Sequence, residues 1–223
     1  MKIALCQINT HTGHFEFNRK KILEFISKAH KAGAELAVFP ELCISGYPAR
    51  DFLDFDDYTN MCLQEADEIA KQTNSISVIT GCPTYNKTGR GKMLFNSALV
   101  LQNGKCTTEI HKALLPNYDI FDEYRYFEPG RDFSCVTIGG KKLAITVCED
   151  LWNIEGNHLY VADPMEMLSE ENPDIIINIA ASPFSSGQFE KRLEVFRYHS
   201  AKYKLPVVYV NMTGAQTELI FDG

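Results

Sequence analysis

The chain is 223 residues long, 45% hydrophobic and 23% charged, with a formal net charge of −7. That length suits one large domain with a full core. The negative charge argues against a nucleic-acid partner or an anionic membrane surface. The opening MKIALCQINT turns polar too soon for a signal peptide, and no apolar run approaches the roughly 18 residues of a membrane span.

In chain order, KIALCQIN reads as a first strand. Residues 16–32 put Ile22, Phe25, Ile26 and Ala29 at helical spacing, with Gly33 as the C-terminal cap. ELAVFPEL is a second strand, ending at Pro40 ahead of the turn-rich SGYPARD. A second helix is predicted over residues 56–73 and a third strand over SISVITGCP. NSALVLQNGKCTTEIHK predicts a hairpin turning at Asn103-Gly104, with its second strand leading to Lys112. LLPNYDIFDEYRYFEPG is long, aromatic and irregular. FSCVTIGGKKLAITVCEDLW predicts another hairpin, through Gly139-Gly140, whose second strand runs into Cys148.

A helix containing DPMEMLSEEN precedes PDIIINIAASP, an apolar strand of the kind buried in a covered sheet. The helix FEKRLEVFRYHSAKYK leads to LPVVYVNMTG and QTELIFDG, where LIFDG reads as a strand meeting a turn with no return strand. No repeat or linker interrupts, so the expectation is one domain over residues 1–223, truncated at its C-terminal end. The mixture of crossovers and hairpins implies an α/β fold, layered as α/β or as an α-β-β-α sandwich.

Seven cysteines (Cys6, Cys43, Cys62, Cys82, Cys106, Cys135 and Cys148) form no CxxC or zinc-like group. Scattered thiols predict a reducing cytoplasm, with most acting as small buried hydrophobes. Three chemistry-bearing residues, however, each lie just beyond an apolar strand. Glu41 follows LAVFP, Lys112 follows TTEIH and Cys148 follows LAITV. Strand ends are where α/β folds assemble active sites. A thiol there needs a base or a cationic neighbour to become a thiolate.

FPELCISGYP, HKALLPNYDIFDEYRYFEPG and ITVCEDLW resemble, in order, the three signature segments of the nitrilase (carbon-nitrogen hydrolase) superfamily. The wording is most similar to glutaminase domains of glutamine-dependent NAD synthetases, from KIALCQIN to LIFDG. The resemblance implies a nitrilase-type α-β-β-α sandwich. It makes Cys148 the nucleophile, Glu41 the base, Lys112 the oxyanion partner and Glu123 the carboxylate that positions the lysine. It also implies that Tyr47, Tyr118, Glu149, Trp152 and Ser182 hold the amino and carboxylate groups of glutamine. Glu149 could instead cap the turn after its strand, Tyr47 and Trp152 could be rim packing, and Ser182 could cap the turn with Pro183. Ala180 and Gln188 stand where Ser and a basic residue are common in relatives, and Lys191 and Arg192 lie nearby as substitutes.

By the same resemblance the glutaminase reaction needs no cofactor or metal. ATP, Mg and deamido-NAD would belong to a synthetase domain supplied in cis or in trans, since no SGGxDS-type loop, GxxxxGK[ST] or GxGxxG occurs. A homo-oligomer is also implied. Two alternatives stay open: a free-standing amidase or carbamoylase acting on another small amide, and a non-catalytic scaffold remnant. His11 and His14 form an HxxH pair without completing ligands. A Cys–His hydrolase would need His111, His158 or His199, and His111 should point opposite to Lys112 on its strand.

Overall fold

The computed structural model describes residues 1–155 and 159–223; His158 lies outside the described residues. Two sheets stack face to face. The first holds β1 (Ile3–Leu5), β2 (Leu36–Val38), β3 (Ser77–Tyr85), β4 (Leu94–Gln102) and β5 (Lys105–His111) in that spatial order. The second holds β6 (Val136–Ile138), β7 (Lys141–Val147), β8 (Ile175–Ala180) and β9 (Val207–Asn211). Strands β1–β3 pair in parallel, as do β7–β9, while β3–β4, β4–β5 and β6–β7 pair antiparallel.

Side-chain alternation decides what fills each layer. From β8, Ile177 and Ile179 turn inward to meet Leu36, Val38, Ile79 and Val100 between the sheets. Ile176, one residue out of phase, joins Met165, Leu168 and Val195 beneath helices α4 (Pro164–Ser169) and α5 (Gln188–Tyr203). On the opposite flank, α1 (Phe15–Lys31) and α2 (Asp56–Ala70) bury Ile22, Ile26, Cys62 and Ile69. The result is the expected α-β-β-α sandwich.

Turn chemistry places the hairpins. Asn103 and Gly104 have φ of 51° and 78°, the paired positive values that a two-residue hairpin turn requires. Two elements differ from expectation. The irregular aromatic segment contains a short helix, α3 (Glu123–Tyr126), which fixes the direction of Glu123. The terminal strand β11 (Leu219–Asp222) does have a partner: it returns on β10 (Thr213–Gln216) as a separate two-stranded ribbon. The partner was hidden because TGAQ carries no strand-like apolar pattern.

Candidate active site

The ends of β2, β5 and β7 converge. Glu41 follows β2 and is held against the sheet by a close backbone approach. A Cβ on Gly81 of β3 would collide with the Glu41 and Leu42 main chain, so only glycine fits there. Lys112 follows β5 and is completely buried. Cys148 follows β7 directly and opens a 3-10 turn over Cys148–Leu151 with φ of 45°, a left-handed conformation held by its surroundings.

Lys112 Nζ donates to Glu41 Oε1 at 2.7 Å and reaches Glu123 Oε1 and Oε2 at 2.9 and 2.8 Å. Burial alone would lower the lysine pKa, but the Glu123 and Glu41 carboxylates outweigh it and hold the ammonium well above its ordinary value. The ammonium carries three N–H donors and meets both carboxylates with them. Glu41 also accepts from Asn96 Nδ2 at 2.7 Å, and on Oε2 from the Ala181 N–H at 2.9 Å. Three of about four acceptor positions on this carboxylate are filled, and the open one lies on Oε2.

Burial pushes the Cys148 thiol well above its ordinary value; the Glu41 charge pushes it further and Lys112 only partly offsets this. The resting state is therefore a neutral thiol, not a standing thiolate. Its proton must leave as attack proceeds, and a neighbouring carboxylate with a free lone pair is suited to receive it. Glu123 is raised to about 7 because burial outweighs the pull of Lys112, and it also accepts from the Tyr47 hydroxyl at 3.3 Å.

Cys148, Glu149, Tyr118, Trp152 and Ser182 line one cleft of about 830 Å³. Glu149 is buried and accepts at Oε1 from the hydroxyls of Tyr118 (2.8 Å) and Tyr160 (3.0 Å); burial raises its pKa against Lys112 and those donors. Ser182 exchanges two hydrogen bonds with the Asn211 side chain, its N–H donating at 2.8 Å and its carbonyl accepting at 2.9 Å. Tyr47 lines a neighbouring cavity of about 290 Å³ with Glu123. Lys191 faces the cleft, whereas Arg192 turns to bind both carboxylate oxygens of Asp222.

Of the candidate histidines, those described are occupied elsewhere. His111 bonds Ser97 at 2.8 Å and stacks on Phe95, while His199 donates to the Leu151 carbonyl at 2.7 Å, behind the nucleophile turn. His11 and His14 pack against Phe17. Among the described residues, no group of three or more His, Cys, Asp or Glu side chains is arranged to hold a metal.

Sequence reasoning missed Asn96, Tyr160 and Asp150. Asp150 is the most connected: Oδ1 accepts from Ala113 N and Leu114 N, and Oδ2 from Val147 N, all at 2.9 Å. One carboxylate thereby fixes the residues just after Lys112 to the residue just before Cys148. Burial raises its pKa to about 6 despite these donors. Asp150→Asn would set an amide N–H against one of the three donors. We expect kcat to fall about 10–100-fold with KM within about threefold, since small misplacement of reacting groups is costly. Stability should fall by about 2 kcal/mol. Steady-state kinetics and thermal melts measure both, and an unchanged kcat would remove the positioning role.

Comparison with known proteins adds three findings. The carbon-nitrogen hydrolase family profile matches residues 2–223. A glutamine-dependent NAD(+) synthetase from Synechocystis sp. is 34% identical over 228 residues, covering 99% of this chain but 41% of that protein; one from Thermotoga maritima is 33% identical, covering 100% and 37%. The structure of glutamine-dependent NAD+ synthetase from Acinetobacter baumannii, in complex with ADP, superposes with a TM-score of 0.89 at 32% identity over 99% of this chain and 40% of that one. An amidase from Nesterenkonia sp. shares the fold (TM-score 0.82, 19% identity, covering 100% of this chain and 80% of that one). The chain thus spans about two fifths of the length of the curated relatives it matches.

Proposed function

The chain belongs to the carbon-nitrogen hydrolase family, and on that premise we propose that it hydrolyses the side-chain amide of glutamine, releasing ammonia for a synthetase domain. The observation that carries this reading is the buried Lys112 ammonium, shared by Glu41 and Glu123 and acting on Cys148. In the proposed reaction Cys148 Sγ attacks the amide carbon while Glu41 Oε2 takes the thiol proton. A Lys112 N–H meets the developing oxyanion, a role typically worth roughly 3–4 kcal/mol. The amide nitrogen leaves as ammonia with a proton returned from Glu41, and Glu41 then activates the water that cleaves the thioester.

Glutamine is favoured over other amides by Glu149, a buried carboxylate next to the nucleophile in the chain and suited to an α-ammonium. Tyr118, Trp152 and Ser182 complete that contact surface, and Tyr47 acts through Glu123. The names of the relatives support a synthetase partner, in cis or trans, which would use ATP, Mg and deamido-NAD to consume the ammonia. The glutaminase half itself is proposed to need no cofactor or metal. A homo-oligomer in the cytoplasm completes the reading; all seven thiols stand free and no described helix is long and apolar enough to cross a membrane.

The test is direct. Purified chain should release ammonia from L-glutamine with one glutamate formed per ammonia, faster when a synthetase domain is present. Absence of turnover both alone and with that domain would end the proposal. Glutamine proving the poorest in a panel of small amides would favour a free-standing amidase instead.

A further inference from the structure

Resting on the reading of Ser182 as a substrate contact, we propose that Tyr209 is a positioning residue for the Ser182 hydroxyl. Backed by the Arg192 guanidinium, the Tyr209 hydroxyl donates to Ser182 Oγ and turns the serine hydrogen into the cleft, where it meets the substrate carboxylate.

The sheet places Tyr209 close to the chemistry. It lies on β9 opposite Asn178 of β8, which in turn pairs with Thr146 of β7. Asn178 Nδ2 donates to Thr146 Oγ1 at 2.9 Å and to the Cys148 carbonyl at 3.3 Å. This row of the sheet therefore supports the nucleophile turn. The Tyr209 ring packs on Phe196 of α5, with centroids 4.6 Å apart, which holds the phenol between sheet and helix. Arg192 stands one turn before Phe196, and Gln188, one turn earlier still, lines the cleft. The guanidinium thus backs the cleft wall.

Two buried groups meet here without a completed bond. Arg192 is 3% exposed, and both of its bonds to Asp222 run through Nη2, at 2.7 and 2.5 Å. Among the described residues, its Nε and the Tyr209 hydroxyl are buried without a hydrogen bond of good geometry. A buried polar group in that condition needs a reason. The two groups nonetheless act on each other. Burial raises the Tyr209 pKa, as does Cys148, while the Arg192 and Ser182 side chains lower it. Burial opposes the Arg192 charge, and Asp222 and then Tyr209 support it. Active-site hydrogen bonds are often long without substrate and tighten once it is bound.

Donor and acceptor counting fixes the direction of this relay. Arginine donates and never accepts, so a phenol oxygen bonded to Nε keeps its own hydrogen for Ser182 Oγ. The cationic donor strengthens that second bond. Ser182 has one hydroxyl hydrogen, and its backbone is pinned by two bonds to the Asn211 side chain. With Oγ accepting from Tyr209, that hydrogen faces the cleft, which Ser182 lines together with Cys148 and Glu149. A carboxylate accepts such a bond, whereas an ammonium has only donors to offer. Glutamine is then read in one orientation, ammonium at Glu149 and carboxylate at Ser182.

Tyr209→Phe removes the hydroxyl and keeps the ring on Phe196. Steady-state kinetics with L-glutamine compare wild type, Tyr209→Phe, Ser182→Ala and the double variant. Calorimetry in a Cys148→Ala background gives Kd for L-glutamine and for L-glutamine α-amide, which offers no carboxylate. We expect Tyr209→Phe to raise KM and Kd for glutamine at least about fivefold with kcat within about threefold. The double variant should be no worse than Ser182→Ala alone, because Tyr209 acts through the serine. Binding of the α-amide should be insensitive to Tyr209→Phe. A smaller rise in KM, losses that multiply in the double variant, or an equal loss for the α-amide would overturn the inference and leave the glutaminase reading standing. Wild-type protein that neither binds nor hydrolyses glutamine would remove both.

Discussion

Lys112→Met should abolish turnover and weaken the fold at the same time. The ammonium is wholly buried and neutralises two buried carboxylates, so its loss leaves Glu41 and Glu123 facing each other uncompensated. Removing one partner of a buried ion pair typically costs 3–5 kcal/mol. Activity should fall at least about 10²–10³-fold, the usual scale for one oxyanion donor. The two losses separate in the double variant Lys112→Met/Glu123→Gln. Taking away one of the stranded charges should recover part of the stability, read by urea denaturation, and none of the turnover. If the double variant regained activity, or the single variant kept within tenfold of it, Lys112 would be a structural counter-ion and nothing more.

That experiment also separates what was legible in the sequence from what was not. Glu41 and Cys148 stand out because each follows an apolar strand, where a polar residue needs a reason, and Lys112 stands at the end of β5. The helix over residues 16–32 was readable from period, the helix expected over 56–73 runs as Asp56–Ala70, and the hairpin at Asn103-Gly104 was readable from turn chemistry. The polar frame was not readable. Asn96 lies within β4, yet its amide ties Glu41 and its carbonyl accepts from the Lys112 N–H at 2.8 Å. Glu149 and Asp150 are adjacent acids in one short motif, and only the 3-10 turn sends the first into the cleft and the second toward the backbone of the lysine loop. The Ala181 N–H that orients Glu41 comes from 140 residues away, a pairing no local pattern encodes. Tyr47, grouped with the substrate contacts by resemblance, donates its hydroxyl to Glu123, which α3 brings to it.

These placements make the nucleophile's environment net acidic, and that has a counterintuitive result for reactivity. Lys112 favours the thiolate, but Glu41, Glu149 and Glu123 all oppose it, as does burial. Burial and these carboxylates therefore favour the neutral thiol over the reactive thiolate. In the proposed reaction base and repulsive charge are the same residue: Glu41 suppresses the free thiolate and is the group proposed to accept its proton.

Cys148→Ala and Glu41→Gln should consequently part company. Cys148→Ala should lower hydrolysis by at least about 10⁴-fold, since removing the nucleophile from a set that acts as a unit costs most of its catalysis. Its fold should survive with about 1 kcal/mol lost and a Tm shift of about 2–4 °C, because alanine fills most of the volume of the buried cysteine. Glu41→Gln should be as inactive in hydrolysis, yet its thiol should react faster than wild type with methyl methanethiosulfonate. The sign follows from the charges: removing Glu41 deletes the larger charge that raises the thiol pKa and leaves the lowering effect of Lys112, so the thiolate fraction grows at every pH below the pKa. The modification rate plotted against pH should shift to lower pH in Glu41→Gln, and in Lys112→Met it should move the opposite way. Equal modification profiles in wild type and Glu41→Gln would mean that Glu41 does not act on the Cys148 proton, and its assignment as base would fall with it.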